Sequence, residues 1–299
     1  MTRIGLVLGA GGITGEAFHR GVLSALQDSA GWDARLASIV VGTSAGALVG
    51  ASLRAPDRKP PASMPADAPQ VAMPMRRVAG LGVLAAAARR PWRARPVVLA
   101  TALVPAGRVS TASIAAGVRR QLGSAWPAED LWVVAARRRD GVRVVFGRGD
   151  APATDVGRAV AASCAIPGYF QPVTIDGVEY VDGGVHSPTN ADLLAGLGLD
   201  LVVVSSPMSV RPVAARPQVD LGLRLLWHRN VVAEARRVRR SGTPVLVIEP
   251  DVATLARLGI NAMRGKHLGE IAARAAAATA TDLRRPSNAA HLALLQQRG

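Results

Sequence analysis

An α/β fold with a central sheet covered by helices on both faces is what this sequence predicts, on three observations. Apolar runs of strand length alternate with segments of helical spacing over most of the chain. Those runs are continuously apolar, as in strands buried on both faces. Two strand-to-helix junctions near the start carry glycine clusters, at residues 9–15 and 42–46. A chain of 299 residues is close to the size at which single cores stop growing, so one domain over 1–299 is expected.

The elements follow in order. Residues 4–8 read as a buried strand, 9–15 as a turn, and 16–27 as a helix with Phe18, Val22, Leu23 and Leu26 on one face. A second unit has a strand over 37–41, a tight turn over 42–46 and a small-residue helix over 45–53. Pro56, Pro60, Pro61, Pro65, Pro69 and Pro74 break regular structure, so a variable, mobile Pro/Arg-rich insertion is expected over about 54–107. A helix over 110–122 is expected to be capped by Ser110 or Thr111. Asp140-Gly141 and Asp176-Gly177 mark two hairpins, joining 131–136 to 142–146 and 172–175 to 178–181. Between them 154–165 reads as a helix that stops before Pro167. After Asp182-Gly183-Gly184 come a helix near 191–197, a strand over 201–205, an Arg-rich helix over 221–240, a strand over 245–248 and helical elements over about 251–299.

Lys plus Arg number 36 against 21 Asp plus Glu, a net charge of +15, and only Lys59 and Lys266 are lysines. Such a surface favours polyanions: nucleic acid, phosphate-bearing molecules or anionic lipid. An Ala/Gly/Arg-rich compositional drift would produce the same excess. Few aromatics and no recognised module argue against nucleic acid. The single cysteine, Cys164, precludes an internal disulfide and sits among apolar neighbours, which reads as a small buried hydrophobe. The glycine cluster begins at Gly9, so no secretory signal is expected. No apolar run reaches the roughly 20 residues of a membrane span, so a cytoplasmic location is expected.

Three glycine-marked turns could carry chemistry. Gly42-Thr43-Ser44-Ala45-Gly46 fits G-x-S-x-G between a predicted strand and helix, which sets a serine hydroxyl on a sharp turn at a strand's carboxyl end. Gly9-Ala10-Gly11-Gly12-Ile13-Thr14-Gly15 can aim backbone N–H groups at an anion. That anion could be a dinucleotide pyrophosphate, although Thr14 replaces the third glycine of the fingerprint, or the oxyanion of a tetrahedral intermediate. The serine turn favours the second. Asp182 ends an apolar strand before Gly183-Gly184, so its carboxylate would emerge at a tight turn at a strand's end, where ligands of open sheets collect; a plain Asp-Gly turn is the bland alternative. Of His19, His186, His228, His267 and His291, the last two read as surface or helix-face residues, not as a catalytic base after a strand.

In this order the three turns resemble the patatin-like phospholipases, whose members use a Ser-Asp dyad without histidine. The resemblance extends to Gly21-Val22-Leu23, to Ala162-Ser163 and Ile166-Pro167-Gly168-Tyr169-Phe170-Gln171-Pro172, and to Tyr180-Val181-Asp182-Gly183-Gly184. It implies a three-layer α/β/α patatin-like fold with a central, mostly parallel sheet and a nucleophile elbow. It also implies Ser44 as nucleophile, Asp182 as its base, and the N–H groups of Gly11, Gly12 and Ile13 as oxyanion hole. Gly9, Gly15, Gly42, Gly46, Gly183 and Gly184 would shape these turns. No cofactor and no metal are implied. Thr14 stands where the family usually has Arg, which would weaken head-group contacts more than the backbone hole. The expected activity is hydrolysis of carboxylic esters in phospholipid or other acyl lipid, through an acyl-enzyme. A peripheral contact with anionic membrane is expected at the insertion, where Arg76, Arg77, Arg89, Arg90, Arg93 and Arg95 flank Trp92. The rival readings are a non-catalytic lipid- or anion-binding protein on the same fold and a nucleotide-dependent oxidoreductase.

Overall fold

The computed structural model describes residues 2–56, 104, 106–212, 220–259 and 261–297. The expected mobile insertion and its basic membrane patch fall almost wholly outside the described residues.

One sheet of eight strands organises the molecule. Four strands, β1 (Ile4–Leu8), β2 (Ile39–Thr43), β7 (Leu201–Ser205) and β8 (Val245–Ile248), join the first part of β3 (Asp130–Arg137) in parallel, in the order β3-β2-β1-β7-β8. The hairpin partners β4 (Arg143–Phe146), β5 (Val173–Ile175) and β6 (Val178–Asp182) are antiparallel. Parallel strands need crossovers, and helices supply them.

Side-chain alternation divides the core between two faces. Leu6, Leu8, Val40, Val133, Val203 and Leu246 face one layer, where they meet Val22 and Leu26 of α1 (Gly12–Ala30), Leu48 of α2 (Ala45–Leu53), Ile114 and Val118 of α3 (Ala112–Leu122) and Val160 of α4 (Val156–Ser163). Val7, Val41, Val134, Val202 and Val204 face the other, against Val231, Ala235 and Val238 of α5 (Leu221–Arg240). Three C-terminal helices, α6 (Val252–Leu258), α7 (Leu268–Leu283) and α8 (Ala289–Gln296), complete the first layer, with Leu258, Ile271, Ala275, Leu283 and Leu295 in its core. Among the described residues no helix is long and apolar enough to cross a membrane.

The structure departs from the sequence expectation in four places. Helix α1 begins at Gly12, inside the expected glycine turn. A 3₁₀ turn over Ala34–Leu36 delays β2 to Ile39, two residues late, and the element after Asn190 is a short 3₁₀ turn, Ala191–Leu194. Arg54, expected to open a mobile segment, is buried: its guanidinium donates to the carbonyls of Arg35, Ala37 and Asp130 and ties the end of α2 to the starts of β2 and β3.

Register in the sheet explains how two residues 138 positions apart in the chain meet, as Ser44 and Asp182 do. Strand β2 runs along one edge of β3 until Thr43 lies opposite Val134. There it leaves the sheet, and β6 takes over, with Asp182 opposite Ala135. Because β4 already pairs with Val133, Val134, Ala135 and Ala136, it occupies the other edge, so β2 and β6 must share this one. The two strands meet end to end, and the residue after Thr43 faces the last residue of β6.

Candidate active site

Ser44 sits between β2 and α2 with φ 56° and ψ −121°. That is the left-handed side of the map, where a residue with a Cβ is strained by about 1–3 kcal/mol and is held only by its surroundings. The surroundings are specific. The Ser44 N–H donates to Ser163 Oγ at 2.8 Å, and the Ser163 hydroxyl donates to the Val134 carbonyl at 2.6 Å. Behind the elbow, Gly46 lies so close to β1 that a Cβ would stand 1.9 Å from the Leu8 carbonyl oxygen, so only glycine lets α2 start here. Gly42 turns equally tightly under α2.

Asp182 is buried and receives two hydrogen bonds, one from the Ser44 side chain and one of 2.7 Å from the Gly184 N–H. Burial pushes its carboxyl up from the ordinary 3.8 to about 6, and the two hydrogen bonds limit the rise. Gly183 is wedged against the Val134 carbonyl, which fixes the turn that aims the carboxylate. Asp182 is thus more basic than a solvated aspartate and already bonded to the hydroxyl whose proton it would take.

The glycine loop lies alongside. Gly9 N–H donates to Ser205 O and Ala10 N–H to Pro188 O, which pins the start of the loop to β7 and to the segment after Asp182. Gly12 adopts φ +58°, and Gly15 packs on Pro207 while its N–H returns to Gly11 O. Thr14 N–H is taken by Ala262 O at 3.1 Å. The N–H groups of Gly11, Gly12 and Ile13 meet no acceptor among the described residues. These are the three donors expected from sequence, at the positive end of a 19-residue helix.

The histidines are occupied elsewhere. His19 is fully buried, with Nε2 2.7 Å from Gly9 O and Nδ1 2.7 Å from Ser205 Oγ. Since a carbonyl only accepts, Nε2 carries the proton and Nδ1 accepts from the serine. Burial lowers the His19 pKa to about 4, so the ring is neutral and clamps the loop. His228 contacts Glu249, His267 contacts Glu270, His291 contacts Asn288, and His186 lies near Asp192. Cys164 is buried and its thiol is pushed well up, first by burial and then by Asp182 and Glu16, so it is no nucleophile.

Two supporting residues were not legible beforehand. Ser163 lies within the Ala162-Ser163 pair of the family resemblance, but no local pattern says that a hydroxyl on α4 will hold the Ser44 amide. His19 lies on α1 ten residues after the carbonyl it grips, and only the fold shows the contact.

The patatin-like phospholipase family model matches residues 6–195, more than half of the chain, and the span includes the glycine loop, the Ser44 elbow and Asp182. The chain belongs to the patatin-like phospholipase family. Among solved structures, VipD from Legionella pneumophila is similar at 12% sequence identity with a TM-score of 0.41; the match covers 94% of this chain and 66% of that one. The chain therefore spans just under two thirds of the length of VipD. Membership fits the mostly parallel sheet between helical layers.

Proposed function

We propose that this protein is a serine hydrolase of acyl-lipid carboxylic esters, of phospholipase A or lysophospholipase type, working through a Ser44–Asp182 dyad. The observation that carries the reading is the hydrogen bond from a strained elbow serine to a buried aspartate of raised basicity. Ser44 Oγ attacks the ester carbonyl carbon while Asp182 takes its proton. Charge moves to the carbonyl oxygen, which the N–H groups of Gly11, Gly12 and Ile13 receive. Collapse breaks the ester C–O bond, the leaving alcohol recovers the proton from Asp182, and Ser44 is left acylated. Water then attacks the acyl carbon, giving its proton to Asp182, and the free acid departs as Ser44 is reprotonated.

A purely ligand-binding protein has no use for a serine held in a strained conformation against a buried carboxylate, and that favours turnover. The net charge of +15 supports a substrate presented on an anionic surface. On α5, Leu223 and Leu226 are exposed apolar side chains with exposed Arg229 beside them, a second element suited to an interface.

A panel of phospholipids, lysophospholipids and neutral glycerides, assayed by free fatty acid release, tests the reading. Wild type should release acid, and Ser44→Ala should be slower by about 10⁴-fold or more. Full activity in Ser44→Ala would exclude this nucleophile.

A further inference from the structure

The stretch between Asp182 and Ala191 touches all three parts of the proposed site. It begins covalently at Asp182, whose carboxylate accepts the Gly184 N–H. Its middle accepts the Ala10 N–H on Pro188 O, which positions the glycine loop. Its end reaches the elbow: Asn190 Nδ2 donates to Thr43 Oγ1 at 3.2 Å, one residue before Ser44, and to Ser187 O at 2.6 Å. Asn190 is fully buried and left-handed at φ 55°, a conformation that Asn tolerates better than most residues. Its Oδ1 accepts from Arg143 at 3.3 Å, so both ends of the amide are used.

This segment has no regular ladder to hold it. What holds it is Glu234, near the middle of α5. Glu234 Oε2 accepts from Thr189 Oγ1 at 2.6 Å and from the Ala191 N–H at 2.8 Å, and the carboxyl also bonds to the Ser187 side chain. One partly buried carboxylate therefore ties residues 187, 189 and 191 to α5.

We propose that Glu234 and Asn190 are positioning residues, which together hold the 183–191 segment so that Asp182, Ser44 and the glycine loop keep one register. The proposal rests on the Ser44–Asp182 reading for its catalytic consequence and on the hydrogen bonds of Glu234 and Asn190 for its mechanical one. A displacement of about 1 Å among reacting groups can cost roughly 100-fold in rate, so a support far from substrate has leverage.

The test compares wild type, Glu234→Ala, Glu234→Gln and Asn190→Gly, each checked for folding by circular dichroism and thermal melting. Gln keeps the shape and one acceptor; Gly keeps the left-handed backbone and removes only the side chain. On a soluble chromogenic ester, kcat should fall by about 30- to 100-fold in Glu234→Ala and Asn190→Gly with KM within about twofold, and Glu234→Gln should recover to within about fivefold of wild type. Hydrogen exchange gives a readout independent of turnover. In Glu234→Ala the amides of Gly184 and Ala10 should exchange faster while those of β8 stay unchanged. Folded Glu234→Ala and Asn190→Gly proteins with wild-type kcat, or a Glu234→Ala protein with unaltered exchange at Gly184 and Ala10, would overturn the proposal. Wild-type activity in Ser44→Ala would instead remove the dyad reading, and the exchange data would still decide the mechanical part.

Discussion

The starts of α1 and α2 are two versions of one construction, and their difference separates the two halves of the proposed chemistry. Each follows a buried parallel strand, each turns through a left-handed residue of nearly equal φ, Gly12 at 58° and Ser44 at 56°, and each opens at the same edge of the sheet. At α2 the left-handed position carries a side chain, and its amide is tied to Ser163. At α1 the position is glycine, and the amides at and beside it meet no acceptor among the described residues. Helix α2 offers the candidate nucleophile and α1 offers the donors. In the proposed mechanism, a hydroxyl at one and bare backbone at the other divide attack from oxyanion stabilisation.

Exchanging the glycine character at α1 should give the largest effect. A Cβ on Gly12 would stand 2.6 Å from Ala262 O and sit at an unfavourable φ, so Gly12→Ala should lower kcat by about 10²- to 10³-fold, as loss of an oxyanion donor does. Gly31 caps the other end of the same helix at φ +67° with open space around it, and Gly31→Ala should cost about 1 kcal/mol of stability and leave kcat unchanged. Equal losses of activity in the two variants would show that strain in general, and not the loop's donors, is at issue.

Loosening the tether at α2 should give a smaller one. Ser163→Ala removes a buried hydrogen bond worth roughly 1–1.5 kcal/mol and leaves the Ser44 amide without its acceptor, so kcat should fall about tenfold. Ser163→Thr, which keeps the hydroxyl, should lie between that variant and wild type; an Ala variant as active as wild type would mean that the elbow holds itself.

The pH response follows from the buried aspartate. Asp182 must be ionised to accept the proton, so kcat/KM should rise with pH through about 6. Its raised value also has a stability consequence. Below 3.8 the carboxyl is protonated both folded and unfolded; between 3.8 and about 6 only the folded protein keeps the proton, so stability falls as pH rises through that window. Asp182→Asn carries no such charge and should gain on wild type by up to about 3 kcal/mol between pH 4 and 6, with no further gain above. His19 acts in the opposite sense. Held neutral with a value near 4 against an ordinary 6.5, it costs stability as pH falls from 6.5 towards 4. Denaturant titrations of wild type and Asp182→Asn across pH 4–7 read the difference directly.

What the sequence made legible was whatever a short window encodes. β1, β7, β8, α2 and α5 stand at their expected bounds because their apolar runs and periodicity are local. Ser44 and Asp182 are legible as turn residues at strand ends and 9–15 as a glycine turn before a helix, whereas the roles of Gly11, Gly12 and Ile13 come only from the family resemblance. The start of α1 was placed late because glycines read as loop, although close packing against Ala262 and Pro207 is what requires them. Arg54 was read with the proline-rich stretch after it, and its three carbonyl partners come from distant turns. Ser163, Asn190 and Glu234 gave no signal, since each acts on a partner 119, 147 or 45 residues away, across elements that only the folded sheet brings together.

Fluorophosphonate labelling followed by peptide mapping tests the central claim most directly, because only an activated serine reacts. The account predicts a single adduct on Ser44 in wild type, no adduct in Ser44→Ala, and labelling of Asp182→Asn slowed by several orders of magnitude. An adduct on another residue, or a Ser44 that labels as fast without Asp182 as with it, would contradict the account.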